Sequence, residues 1–140
     1  MKRYLALILV VLAMLSLSAV VSAENEDARA SDYFSTYGIS LSNVGGGRIS
    51  ITFSCNAVGT ASQIGVSNYN VQRYNEEDGY WVQVTGTLSG SYSYNSSNHS
   101  FAKVFQGVSG EKYRVKCTFL CVKDGTAESK NYTSRTIQAQ

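Results

Sequence analysis

The sequence predicts an all-β protein, a seven-stranded antiparallel β-sandwich preceded by a helical signal peptide. Three observations point there. Short stretches of strict apolar/polar alternation recur after residue 36, as in Ile49-Ser50-Ile51-Thr52-Phe53-Ser54-Cys55. Turn signals rich in glycine and asparagine separate these stretches, and none of them carries a helical period. A charged, then apolar, then small-residue leader comes before everything else.

The leader begins Met1-Lys2-Arg3, runs almost wholly apolar from Tyr4 to Val21, and ends Val21-Ser22-Ala23 before Glu24. Small residues at −3 and −1 are what a signal peptidase needs, so residues 1–23 read as a cleavable signal peptide ending at Ala23. An uncleaved anchor would need about the same apolar length. Anchors seldom end in such a site followed at once by Glu24-Asn25-Glu26-Asp27. The expected product is secreted, extracellular and without a membrane anchor. Cleavage also changes the charge. The whole chain has 12 Lys+Arg against 10 Asp+Glu; Lys2 and Arg3 leave with the signal, and ten of each sign remain. A neutral product without a basic run argues against nucleic acid as a partner.

The 117 residues after Ala23 suffice for one domain and are too few for two. Residues 24–36 read as a flexible N-terminal arm and 37–140 as the domain. Tyr37, Ile39 and Leu41 alternate with small polar residues, and Gly45-Gly46-Gly47 supplies a turn into the strand at Ile49–Cys55. A longer connection holding Ile64 and Val66 follows, its apolar residues plugging the end of the core. Tyr69, Val71 and Arg73 lead to Asn75-Glu76-Glu77-Asp78-Gly79, a hairpin signal through its Asp-Gly. The return strand has Val82 and Val84 on one face and Trp81, Gln83 and Thr85 on the other. A Gly/Ser/Tyr/Asn-rich stretch precedes a strand around Phe101–Phe105. Tyr113, Val115, Cys117, Phe119 and Cys121 alternate again, and Lys123-Asp124-Gly125 turns into a polar closing strand around Tyr132–Ile137. Seven strands with one apolar face each are what two face-to-face sheets require.

Gly110-Glu111-Lys112-Tyr113-Arg114-Val115-Lys116 resembles the run that opens strand F of fibronectin type III and immunoglobulin-like sandwiches. The resemblance implies that Tyr113 is the corner tyrosine, ring in the core and hydroxyl bonded to backbone upstream. Ile49–Cys55 is similar to an immunoglobulin strand B, with Tyr69 where the third-strand Trp would stand. A full-length resemblance is to short exported proteins of Gram-positive, Clostridium-like bacteria. It is carried by Arg29-Ala30-Ser31-Asp32-Tyr33, the glycine turn, Gln63-Ile64-Gly65, His99-Ser100 and Gly110 with Tyr113. It implies an uncharacterised secreted family and no catalytic or binding residue.

Cys55, Cys117 and Cys121 all fall on inward positions. Cys117 and Cys121 sit about 13 Å apart along one strand, beyond the about 7 Å a disulfide spans. Cys55 therefore pairs with one of them or with neither. A bridge from Cys55 to Cys117 would join the facing sheets as in immunoglobulin domains and stabilise by about 4 kcal/mol. The alternative is three buried thiols acting as small hydrophobes. One His and three scattered Cys do not make a zinc set, and no metal or other cofactor is expected.

No catalytic residue is expected. His99 is the single histidine and has many serines around it, but no G-x-S-x-G elbow exists to present a nucleophile. Gly90-Ser91-Tyr92-Ser93-Tyr94-Asn95-Ser96-Ser97-Asn98-His99 has the Tyr/Ser/Asn/Gly mixture of antibody-type binding loops. Tyr92, Tyr94, Asn95 and His99, extended by Trp81, are the candidate binding residues; the competing reading has Tyr92 and Tyr94 on a strand, packed locally. The expected function is a secreted, non-enzymatic binding or structural module for an extracellular protein or glycan. A small secreted toxin or bacteriocin-like effector is the alternative, and a hydrolase using His99 the third.

Overall fold

The computed structural model describes residues 31–140, three quarters of them in strands and none in a helix. The signal peptide and residues 24–30 of the arm lie outside the described residues. Eight strands follow in order: β1 (Phe34–Gly45), β2 (Arg48–Asn75), β3 (Tyr80–Gln83), β4 (Leu88–Ser89), β5 (Tyr92–Gln106), β6 (Lys112–Lys123), β7 (Thr126–Thr133) and β8 (Ile137–Gln138). Every pairing is antiparallel, and the strands form one curled sheet.

β2 organises the rest. Its first half pairs β1 along one edge and the second half of β5 along the other. Its second half pairs β6 on one edge and, on the other, the start of β5, then β4, then β3. β7 and β8 extend the sheet beyond β6. Because β2 and β5 both pass through the bend, the sheet curls and its inner faces meet. Phe34 and Tyr37 of β1 lie 6.5 and 5.5 Å from the ring of Phe119 on β6. Phe53 lies 4.9 Å from Tyr69 and stacks on Phe101 at 4.6 Å. Such ring pairs contribute about 0.5–1.5 kcal/mol each beyond burial.

The expected connection around Ile64 and Val66 is instead part of β2, which runs 28 residues without a break. Register irregularities between Asn56 and Ala61 and between Val66 and Asn68 bend the strand while keeping it paired. The inward alternation is reset twice, once past Ala61 and once across the Val66/Asn68 irregularity. Ile49, Ile51, Phe53, Cys55, Ala57 and Ala61 are buried at odd positions, Ile64 and Val66 at even ones, and Tyr69 and Val71 at odd ones again. Gly59 sits in the first irregularity with φ +73°, a conformation that side chains resist. The Ser/Tyr/Asn stretch is likewise strand: β5 starts at Tyr92 and bends at Asn95, whose φ is +49°. The connection from β4 to β5 runs so close to β2 that a Cβ on Gly90 would lie 2.0 Å from the Val66 carbonyl oxygen.

The described segment is anchored at its first residue. Ser31 Oγ accepts the N–H groups of Tyr33 and Phe34 at 3.0 and 2.9 Å and donates to the Glu128 carboxylate. Phe34 is buried in the core, so β1 begins three residues before the expected boundary at 37. Tyr113 is buried beside Phe105, and its hydroxyl accepts the Val108 N–H at 2.9 Å, pinning the turn that leads into β6. The expected closing strand divides into β7 and β8 at Ser134, whose hydroxyl takes the Val115 N–H.

The Cys55–Cys117 bridge is not formed; all three cysteines are buried thiols. Phe53 explains the mismatch. Its ring lies on Tyr69, the cross-strand partner of Cys117, so Cys55 falls one inward position nearer the bend. Burial first, and then the repulsion a Cys55 thiolate would meet from a Cys121 thiolate, push the Cys55 thiol up to about 12. Burial also raises Cys121. Such thiols stay protonated and weakly nucleophilic.

The core assignment predicts that Phe53→Ala lowers stability by about 3–5 kcal/mol. Val104→Ala, on a residue 62% exposed, should shift it by no more than about 0.5 kcal/mol. Urea unfolding of both variants checks this, and comparable losses would contradict it.

Candidate functional site

The bend in β5 brings residues from both of its halves together. Ser91 and Ser93 precede the bend and His99 follows it, on the inward face opposite Cys55. The imidazole is 9% exposed and lies 5.6 Å from the Phe101 ring. Its Nε2 is 2.8 Å from Ser91 Oγ and its Nδ1 2.8 Å from Ser93 Oγ. A hydroxyl can donate or accept, so both ring nitrogens are satisfied in either neutral tautomer. Burial lowers the His99 pKa and favours the neutral ring. A serine within hydrogen-bond reach of an imidazole is half of a nucleophilic pair. Here the ring faces the core, and His99 lines neither the cleft beside Glu77 nor the one beside Asn70.

The remaining candidates do not converge. Tyr92 is half-buried over Gly65, with its ring edge 3.0 Å from where a Cβ would stand. Tyr94 projects, 66% exposed, and Asn95 is exposed beside it. Trp81 is half-buried on β3 against Tyr74, 5.2 Å away, with the Arg114 guanidinium 4.3 Å over its ring. Trp81 pairs Tyr74 and Tyr92 pairs Gly65, nine positions apart on β2. That is on the order of 30 Å along a strand. Trp81 therefore does not extend a patch made by Tyr92 and Tyr94.

The acidic hairpin tip is absorbed by its own turn. Asn75 Oδ1 accepts the N–H groups of Glu77 and Asp78, and its Nδ2 donates to Asp78 at 2.9 Å. Glu76 pairs with Lys112 at 2.9 Å across an exposed gap. An open cleft of about 510 Å³ lies beside this tip, between Arg73, Glu77 and Glu111. Among the described residues no group of three or more His, Cys, Asp or Glu could hold a metal ion.

A second cleft, of about 250 Å³, opens on the outer face of the β2–β6–β7 arm. Alternation builds it: Asn68 and Asn70 flank inward Tyr69, while Lys116 and Thr118 flank inward Cys117. Asn131 stands opposite Thr118 and accepts its hydroxyl at 2.9 Å. Asn70 Oδ1 is buried and has no hydrogen-bond partner. The sequence does carry a signal for these residues, the polar positions between Tyr69 and Val71 and between Val115 and Phe119. It becomes a site only once the register of three strands is known.

No protein-family model matches the chain, and no curated protein matches it.

The buried neutral imidazole gives stability a defined pH dependence. With its folded pKa held below the unfolded value of 6.5, the His99 contribution is complete above that value. It is lost as pH falls from 6.5 through the lowered folded pKa, because the unfolded chain takes up the proton first. Glu128 acts lower. Burial opposes its charge, but hydrogen bonds from Lys130 and Ser31 outweigh this and hold it below its usual 4.5. Urea unfolding at pH 7.5, 6.0 and 5.0 should show the wild type losing stability and His99→Gln staying nearly flat. A flat wild-type profile would contradict the assignment.

Proposed function

We propose that the chain is a secreted, non-enzymatic binding module, exported by a signal peptide ending at Ala23. On this reading the curled sheet is a sandwich of the fibronectin type III/immunoglobulin-like kind, and the chain belongs with small exported proteins of Gram-positive, Clostridium-like bacteria. Support for the sandwich comes from strand grouping. β1, the first half of β2 and the second half of β5 group as one layer; β3, β4, the start of β5, the second half of β2, β6 and β7 group as the other. The Tyr113 hydroxyl bond to Val108 fits the corner tyrosine of such folds.

The observation that carries the binding role is the separation of chemistry from surface. The thiols and the imidazole are buried and spent on packing or internal hydrogen bonds. Both clefts open outward and are lined mainly by polar side chains. On this reading partners are met on outward strand faces and on loops held by the rigid sheet. The 2.8 Å contact of Ser91 with His99 supports a second reading, a serine hydrolase.

The secreted product should begin at Glu24 by mass. It should bind saturably on a glycan array or to a purified extracellular protein, and should not react with a fluorophosphonate. Silence on both binding screens would overturn the proposal. Fluorophosphonate labelling of Ser91 would replace it with the hydrolase.

A further inference from the structure

We propose that the open side of the sheet, between the second half of β5 and the β3–β4 edge, takes an extended peptide strand that places a carboxylate between apolar side chains. The inference rests on the binding role above and names its site and the chemistry of the partner.

The curled sheet has two open sides, and only one is closed by its own residues. Where β1 approaches β7, the Tyr37 and Tyr132 rings stand 6.0 Å apart and Ser31 bonds Glu128. The Arg135 guanidinium also donates to the Leu41 carbonyl there, at 2.6 Å. On the opposite side, β5 and the β4–β3 run follow the same edge of β2, one in each arm. Residues 98–106 of β5 pair β2 along one edge, and no strand pairs the other. The row of backbone N–H and C=O groups on such an edge is what an incoming strand pairs with.

The side chains say which strand. Phe101, Lys103 and Phe105 take the inward positions of this stretch, opposite Phe53, Ile51 and Ile49. The two rings are half-buried against the other arm, Phe101 6.3 Å from Tyr69 and Phe105 5.3 Å from Tyr113. Leu88 pairs with Tyr69, and the Val84 N–H donates to the Val71 carbonyl; these two form the facing margin and are each 38% exposed. A strand added to β5 lays alternate side chains over these four apolar residues. Lys103 stands between the rings, exposed, and enters neither ion pair found among the described residues. A lysine on an edge strand guards against unwanted pairing. Antiparallel pairing with β5 of a second copy, centred on this row, would set one Lys103 beside the other, and like charges directly opposite are destabilising. An incoming Glu or Asp turns that repulsion into attraction. The strand that fits therefore carries apolar, acidic and apolar residues at alternate positions.

The test titrates the ¹⁵N-labelled mature protein with a nine-residue acetylated peptide centred on Val-Thr-Glu-Thr-Val, the length of the paired stretch. Two control peptides replace the Glu by Lys, or both central Thr by Pro, which removes backbone donors. The Glu peptide should shift the backbone amides of residues 98–106 saturably, and the Lys and Pro peptides should bind about tenfold more weakly or worse. Lys103→Glu should reverse the preference, binding the Lys peptide over the Glu peptide. Should that variant not fold, Lys103→Gln should bind the two alike. Lys116→Glu, on the outer face of the other arm, should bind as the wild type does. Equal binding of the Glu and Lys peptides by the wild type, or equal losses in the Lys103 and Lys116 variants, would overturn the charge assignment. Equal binding of the Pro peptide would overturn strand addition. If no peptide binds but the wild type binds a glycan or protein on the screens above, this site is wrong and the binding role stands. If those screens are silent as well, both fall.

Discussion

The rest of the structure depends on one strand being central to both arms of the sheet. β2 is hydrogen-bonded along both edges for most of its 28 residues, first between β1 and β5 and then between β6 and the β3–β5 side. A central strand must present a consistent inward face, and a one-residue slip would turn its apolar set outward. β2 meets this constraint while bending because its alternation is reset twice as the chain turns, past Ala61 and across the Val66/Asn68 irregularity. Phe53 and Tyr69, sixteen residues apart on the same strand, then face one another across the core.

That geometry sorts the side chains by role. Positions sharing the inner face with Phe53 and Tyr69 are withdrawn from solvent, among them Cys55, Cys117, Cys121 and His99. Burial holds the imidazole neutral and the Cys55 and Cys121 thiols protonated, so they act as packing groups. The same alternation turns Asn68, Asn70, Lys116 and Thr118 outward on neighbouring strands. Polar, hydrogen-bonding side chains accordingly gather on a strand face, brought together from residues far apart in sequence.

Much of this was legible before the structure. Ile49 to Cys55 and Tyr113 to Cys121 alternate without interruption, and their inward residues are the buried ones. The stretch from Val58 to Gln63 reads as a connection because it is mostly small or polar and its period breaks. It stays in β2 because pairing resumes on both sides of the irregularity. Tyr92 to Asn98 reads either as a binding loop or as a locally packed strand, and it is strand. Ser93 within it and Ser91 just before it are used by His99, and no local pattern reveals a hydrogen bond made across a bend. The cysteine pairing failed on register, since a spacing of inward positions does not say which of them stand level across two layers. The Asn70 cleft was hidden because each of its residues is an ordinary outward strand position until three strands are aligned.

Native-state hydrogen exchange tests the central role of β2 most directly. If both halves share one core, the amides of Ile51 to Cys55 and of Ile64 to Val71 open only with global unfolding and report a single free energy. The account predicts agreement between the halves within about 0.5 kcal/mol and the same denaturant dependence. Two separate values, with one half opening about 2 kcal/mol or more below the other, would contradict it and show two units joined at the bend.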